Sequence, residues 1–303
     1  MDKKIVLLAG GSGLIGKHLS KMLKQSGYEV RILTRNPKNP GDFAWDPLQG
    51  SIDIKALEGV HYVVNLTGAG IADKRWTASR KKLLVDSRIA SLNTLSNALV
   101  TQKHKPRAFV SASAIGYYGN SGEQKMSEDD APANGGFMVD CCQQWEAPVQ
   151  PISGLGIRTI TLRIGIVLSN EGGALAETIK PMRFGLAAYF GNGKAWWSWI
   201  HIDDVCRMMI WALENATVSG VYNAVAPNPI RGKELIRQTV RALHKAAIVL
   251  PAPAFALRLV FGEMADVLLN SNYILSRKTE EAGFEYAYPK IEEALRAIFS
   301  KSA

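Results

Sequence analysis

The chain has 303 residues, 47% hydrophobic and 21% charged, which suits one large α/β unit with its own core and excludes a disordered or repetitive chain. Its net charge of +9 is scattered through short clusters such as DKK, SRKK and TQKHKPR, without interleaved aromatics, so it reads as solvated surface rather than a nucleic-acid patch. Three cysteines make no disulfide framework and point to a reducing compartment, the cytoplasm, and no stretch reaches the roughly 18 uninterrupted apolar residues of a membrane span.

In chain order, KIVLLA at 4–9 predicts a short buried strand ending in glycines. Those glycines also break the apolar run that a signal peptide needs. Leu14, Ile15, Leu19, Met22 and Leu23 follow at helical spacing, and Gly27 stops that helix. YEVRILT is the next strand, so the chain opens as a βαβ unit. HYVVNLTG at 61–68 is a further buried strand, and 77–100 is a helix with Thr77 as its N-cap. RAFVSASA at 107–114 is a strand ending in small hydroxyl residues. FMVDCCQQWE begins a helix that Pro148 ends or kinks. IRTITLRIGIVLS at 157–169 reads as one strand, and Asp203 and Asp204 read as the cap of a later helix. Strands alternating with helices predict an α/β, Rossmann-like, doubly wound parallel sheet. From about residue 170 the pattern loosens into amphipathic helical stretches.

AGGSGLIG sets Gly10, Gly13 and Gly16 at spacing G-x-x-G-x-x-G. The first glycine lets the chain turn out of the strand. The second lets a pyrophosphate approach the backbone, and the third lets the helix pack on the sheet. A glycine triplet alone is a weak signal; between a strand and a helix of a βαβ unit it reads as dinucleotide binding. NAD-preferring folds place an acid roughly 20 residues beyond the loop. Here Thr34, Arg35 and Asn36 stand there instead. Arg35 attracts a 2′-phosphate and can stack on adenine, so NADP(H) is expected over NAD(H). The expected division is an NADP-binding domain over 1–170 with part of 195–228, and a smaller, mostly helical substrate-side part over 171–194 and 229–303.

GGSGLIG, NLTGAG, SASAIGYYG and LRIGIVLS lie in the order found in extended short-chain dehydrogenase/reductases, the nucleotide-sugar epimerase and dehydratase group. LTR at 33–35, WDP, ADKRWT, DSRIAS, CQQWE, SWIHIDD, GVYNAVAPNPI and AGFEYAYPKIEEAL narrow this. Across its whole length the chain resembles an atypical NAD(P)-dependent epimerase/dehydratase-like subgroup with a C-terminal domain of unassigned role. The resemblance implies that Gly10, Ser12, Gly13, Leu14, Ile15 and Gly16 line a diphosphate. It puts Thr34 and Arg35 at the adenosine phosphate, and Leu66, Thr67 and Gly68 beside the adenosine half. Ser111, Ala112 and Ser113 fall near the nicotinamide. It supplies no substrate.

Active relatives use a Ser or Thr with a Y-x-x-x-K pair, in which the ammonium draws the tyrosine pKa towards working pH. Ser113 stands at the strand end, where it can polarise a carbonyl or simply cap local backbone. The pair belongs on the FMVDCCQQWE helix, where setting Trp145 at the lysine puts Cys141 at the tyrosine. The chain's single Y-x-x-x-K, Tyr286 to Lys290, has Pro289 inside it and reads as accidental. Tyr117 and Tyr118 are the candidate replacement phenols, and Glu146 is either an acid/base or a surface carboxylate. Cys141 and Cys142 are small buried thiols or, less simply, proton donors; with only Cys206 left, no metal site is read. Trp197 and His201 are substrate-side candidates within an aromatic cluster that also suits a core.

Two readings stand. One is an NADP(H)-dependent oxidoreductase or epimerase acting on a small carbonyl compound or nucleotide sugar without the usual Tyr-Lys pair. The other is an NADP(H)-binding sensor without turnover. Arg35→Asp should weaken NADPH binding about tenfold or more while sparing NADH. Fluorescence titration of both dinucleotides measures this, and equal binding of the two by the unaltered chain would sink the Arg35 argument.

Overall fold

The computed structural model describes residues 3–300. Its centre is an eight-stranded sheet. The first six strands in the chain are β1 (Ile5–Ala9), β2 (Glu29–Thr34), β3 (Asp42–Asp46), β4 (Ser51–Ile52), β5 (Tyr62–Asn65) and β6 (Ala108–Ala114). Across the sheet the order runs Gly220–Ala224, Arg158–Ile164, β6, β5, β1, β2, β3, β4. All neighbours are parallel except β4, which pairs antiparallel with β3. The inner strands are buried along nearly their whole length because helices cover both faces. The short strands β3 and β4 were not visible in the sequence pattern.

Helix α1 (Leu14–Gln25) buries Gly16, Leu19, Ser20 and Leu23, an i, i+3, i+4, i+7 stripe, and Gly27 takes φ +86° just past its end. Helix α2 (Ala78–Thr101) starts where Thr77 Oγ1 accepts from the Arg80 amide at 3.2 Å. Helix α3 (Phe137–Glu146) stops before Pro148, and a short helix, Val149–Ser153, follows. Helices α2 and α3 pack on each other, and α1 packs on helix Ile202–Glu214. No described helix is long and apolar enough to cross a membrane.

Two sequence readings change. Residues 157–169 are not one strand. Arg158–Ile164 belongs to the sheet, whereas Ile166–Leu168 pairs with Trp199–His201. Gly165 makes the break, because a Cβ there would lie 2.6 Å from the Ser198 carbonyl oxygen. Asp203 and Asp204 do not cap helix Ile202–Glu214. His201 does, its Nδ1 accepting from the Asp203 amide at 3.0 Å. Asp204 is instead fully buried and accepts from the Ala287 and Tyr288 amides at 2.8 and 2.9 Å.

After residue 224 the chain is mostly helical, with helices Gly232–Ala242, Ala254–Phe261, Ala265–Leu269, Arg277–Glu281 and Ile291–Ser300. A second core joins it to the sheet side: Leu168, Trp197 and Trp199 pack with Leu235, Leu295 and Ile298. Asp204 pins the same junction through backbone amides. Burial pushes its carboxyl pKa up, against the pull of those two amides and of Arg207. Asp204→Ala strands both amides and should cost about 3 kcal/mol. Denaturant unfolding measures it, and a loss below about 1 kcal/mol would mean the junction does not depend on Asp204.

Candidate active site

The β1–α1 turn requires glycine at Gly10 and at Gly16 just beyond it. Gly10 takes φ +85°, and a Cβ there would sit 2.8 Å from the Leu66 carbonyl carbon. A Cβ on Gly16 would lie 2.2 Å from the Gly10 oxygen. Gly13 is the N-cap of α1, has no side-chain capping bond, and has no acid in the turn beyond it. The amides of the first turn therefore point out unmasked at the sheet's carboxyl edge, where an anion is favoured. Ser12 and Gly13 are exposed, and Leu14 and Ile15 half-buried. Arg35 is exposed just past the end of β2, and Thr34 Oγ1 accepts from the Asn36 amide at 3.3 Å. Thr67 Oγ1, on the loop against Gly10, is buried with no hydrogen-bond partner. An unanswered hydroxyl beside a Cβ-free turn fits a polar ligand that completes the site. Ser111 and Ala112 are buried within the sheet.

At the ends of β6 and its neighbours lies a buried polar row. Ser113, Arg163 and Asn223 are cross-strand partners on three adjacent strands. The Ser113 hydroxyl donates to Glu146 Oε1 at 2.6 Å. Arg163 forks onto both Glu146 oxygens, each at 2.9 Å, and its Nη1 donates to the Tyr118 hydroxyl at 2.9 Å. Tyr118 in turn donates to Asn223 Oδ1 at 2.7 Å. Glu128, whose carboxyl pKa is raised by burial, accepts from the Asn223 amide at 2.7 Å. The Arg163 guanidinium lies 3.3 Å from the centre of the Tyr117 ring.

This separates the two phenols. Tyr118 is fully buried, and burial pushes its pKa up to about 12 against the opposing pull of Arg163. It is a strut of the network. Tyr117, on the 3-10 turn Ile115–Tyr118, stays half-exposed. Glu146 is no surface carboxylate, since it is the anion that balances Arg163.

Helix α3 has two faces, and they reset the register read from the sequence. A Cβ on Gly116, just past β6, would meet Met138 at 3.1 Å and Cys142 Sγ at 3.6 Å. Met138, Cys142 and Glu146, at i, i+4, i+8, therefore face the strand end. Cys141 and Trp145 turn away towards α2, where Arg88 stacks over the Trp145 ring at 4.7 Å. The α3 residues nearest Gly116, past the strand end, are Met138 and Cys142, and Glu146 reaches Ser113, whereas Cys141 and Trp145 do not face this way. None of these is a tyrosine or a lysine.

Trp197 is buried in the second core. His201 caps its helix and packs on the Tyr288 ring at 4.0 Å. Tyr286 is half-buried, edge-on against Phe284, and makes no contact with Ser113 or Glu146 among those described above. Arg163, Asn223 and Glu128 escaped the sequence reading, and the one available signal was an arginine inside the otherwise apolar run TITLRIGI. No group of three or more His, Cys, Asp or Glu able to hold a metal occurs among the described residues.

Residues 6–224 match the NAD dependent epimerase/dehydratase family, and residues 252–298 match a domain of unknown function, DUF1731. The chain belongs to that epimerase/dehydratase family. Within it, the chain is 36% identical to epimerase family protein ML0860 of Mycobacterium leprae over 97% of its length and 95% of that protein's. It superposes on the crystal structure of human epimerase family protein SDR39U1 with NADPH with a TM-score of 0.89, at 31% identity, covering 98% of this chain and 99% of that one. The UDP-N-acetylglucosamine 4-epimerase of Bacillus cereus shares the fold, with a TM-score of 0.78 at 20% identity over 99% of both chains.

All three cysteines are buried, and burial raises the pKa of each thiol. A raised pKa leaves less thiolate at pH 8 than a free cysteine has. Folded protein at pH 8 should resist iodoacetamide at Cys141, Cys142 and Cys206, whereas the unfolded chain labels at all three. Mass spectrometry reads the difference; Cys142 labelling at the unfolded rate would restore it as a reactive group.

Proposed function

We propose that the protein binds NADP(H) and reduces or epimerises a small carbonyl compound or nucleotide sugar, with Tyr117 as the proton-exchanging group. The human relative's structure with NADPH supports the cofactor, as do Arg35 and the unmasked turn at Gly10 to Gly16. Gly10, Ser12, Gly13, Leu14, Ile15 and Gly16 would hold the diphosphate, Thr34 and Arg35 the adenosine phosphate, and Leu66, Thr67 and Gly68 the loop beside them. Bound NADPH would supply the hydride. What falls to the chain is orientation and the proton.

The observation that carries the reading is the Tyr117 ring seated on a guanidinium at 3.3 Å. Arg163 is itself immobilised by Glu146 and Tyr118. A phenol whose ring is stacked on a fixed cation is oriented at little entropic cost. Ser113, held through Glu146, is a positioning residue beneath it, and its hydroxyl proton is already committed to the carboxylate.

The sensor reading keeps one observation of its own. Met138 and Cys142 face the strand end, and neither side chain donates a proton readily there, because burial holds the Cys142 thiol protonated.

Turnover decides between them. NADPH consumption over a panel of small aldehydes and ketones should reveal reduction, and conversion of nucleotide sugars to their epimers, followed by NMR with NADP+ bound, should reveal epimerisation, which returns its hydride and consumes no net cofactor. Tyr117→Phe should lower kcat about a hundredfold or more while NADPH affinity holds. Unchanged kcat would remove Tyr117 from the chemistry. Intact NADPH binding with no turnover on any substrate would favour the sensor.

A further inference from the structure

Arg88 carries a positive charge inside the protein with no carboxylate among the described residues to answer it. It stands on α2 and is 6% exposed. Its Nη1 donates to the Ala69 and Leu84 carbonyls at 3.1 and 2.8 Å, and its Nε is buried with no partner. Burial pushes its pKa down and the second cation, Arg80, acts in the same direction, opposed only by the Cys141 and Cys142 thiols, which burial itself keeps protonated. Two turns earlier Arg80 donates to the Gly70 carbonyl and pairs with Asp73 at 3.4 Å. Its Nε is buried and idle as well. Two guanidiniums from one helix thus grip the loop that carries Thr67, whose hydroxyl is also unanswered. Carbonyls supply partial charge only, and an ion buried without a counter-ion is strongly disfavoured.

The placement says what kind of anion is missing. The loop Leu66–Ala69 leaves the carboxyl end of β5 and touches Gly10 of the α1 turn. Gly68 is exposed and passes directly over the guanidinium, since a Cβ there would lie 2.9 Å from Arg88 Cζ. In sheet order Arg35 ends β2 on one side of β1, whereas Arg88 stacks on Trp145 of α3, on the side of β5 and β6. The stack fixes the plane of the fork before any ligand arrives.

We propose that Arg88 is the counter-charge for the phosphate on the nicotinamide half of the dinucleotide. This rests on the cofactor reading above. Arg35 and Arg88 then divide the work: Arg35 recognises the adenosine end, and Arg88 the other half. Trp145 serves Arg88 as its platform. In this chain a buried guanidinium from α2 provides fixed positive charge near the reacting end, where α3 has no lysine.

The test compares NADPH with 2′,5′-ADP, which keeps the adenosine end and lacks the nicotinamide half. Arg88→Met should raise the Kd for NADPH about tenfold or more. It should leave 2′,5′-ADP within about twofold, whereas Arg35→Asp should weaken both. The ligand-free Tm of Arg88→Met should match or exceed that of the unaltered protein, because an unpaired buried cation is removed. If that variant does not fold, Arg88→Gln, which keeps a donor for the Ala69 carbonyl, should show the same split between the two ligands. NADPH affinity within about twofold of the unaltered protein, or equal losses for both ligands, would overturn the proposal and leave Arg88 a scaffold residue. An unaltered protein that binds neither ligand would instead bring down the cofactor reading and this inference with it.

Discussion

The Arg163 guanidinium sits inside the packing at the carboxyl edge of the sheet, and the surrounding structure is arranged to satisfy it. A buried guanidinium left alone is strongly disfavoured, so a carboxylate has to reach it. Glu146 does so with both oxygens, which sets how α3 lies against the sheet. The Tyr118 hydroxyl accepts a further guanidinium N–H and must point inward, and its neighbour on the same tight turn is left outward. Asn223 receives Tyr118 and donates to the Leu275 carbonyl, tying the last strand of the sheet to the C-terminal part. One charge thus links three strands, a helix, a loop and the helical part that follows.

The carboxyl edge has two differently built halves. At β1 the chain offers mainly backbone: a turn in which contacts under 3 Å exclude a side chain at Gly10 and Gly16, followed by unmasked helix amides. At β6 it offers side chains in a closed network with little freedom. Between them lies the Leu66–Ala69 loop, held from behind by Arg80 and Arg88. Backbone suits a ligand part common to many proteins, and a shaped side-chain network suits chemistry peculiar to one group. The family relationship is accordingly plain at β1, while α3 carries neither a tyrosine nor a lysine.

Much of this was legible in the sequence. The glycine spacing, the alternation of apolar strands with amphipathic helices, the Thr77 cap and the stop at Pro148 are local properties, governed by sterics and hydrogen bonding within a few residues. Other features were not. The two-strand reading of 157–169 needed Ser198, whose carbonyl forces the glycine break. Asp203 and Asp204 have the composition of a cap, yet His201 takes that role and Asp204 is drawn to amides more than eighty residues away. Trp197 and His201 suit either a cleft or a core in sequence; in space Trp197 packs in the second core and His201 caps its helix.

The Cys141–Cys142 helix divides the two kinds of information most clearly. Sequence alone determined that this helix holds no tyrosine and no lysine, because composition needs no coordinates. It also determined the dinucleotide turn, since only glycine tolerates φ +85° against the Leu66 backbone. Only the tertiary structure decided which face of the helix meets Ser113, because a helix rotates its side chains by 100° per residue and a shift of one position changes the partner. It put Glu146 rather than Trp145 over the strand end, made Tyr118 a strut and Tyr117 a candidate, and left Arg88 buried without an acid. Those outcomes depend on charges meeting across distances in sequence that no local pattern records.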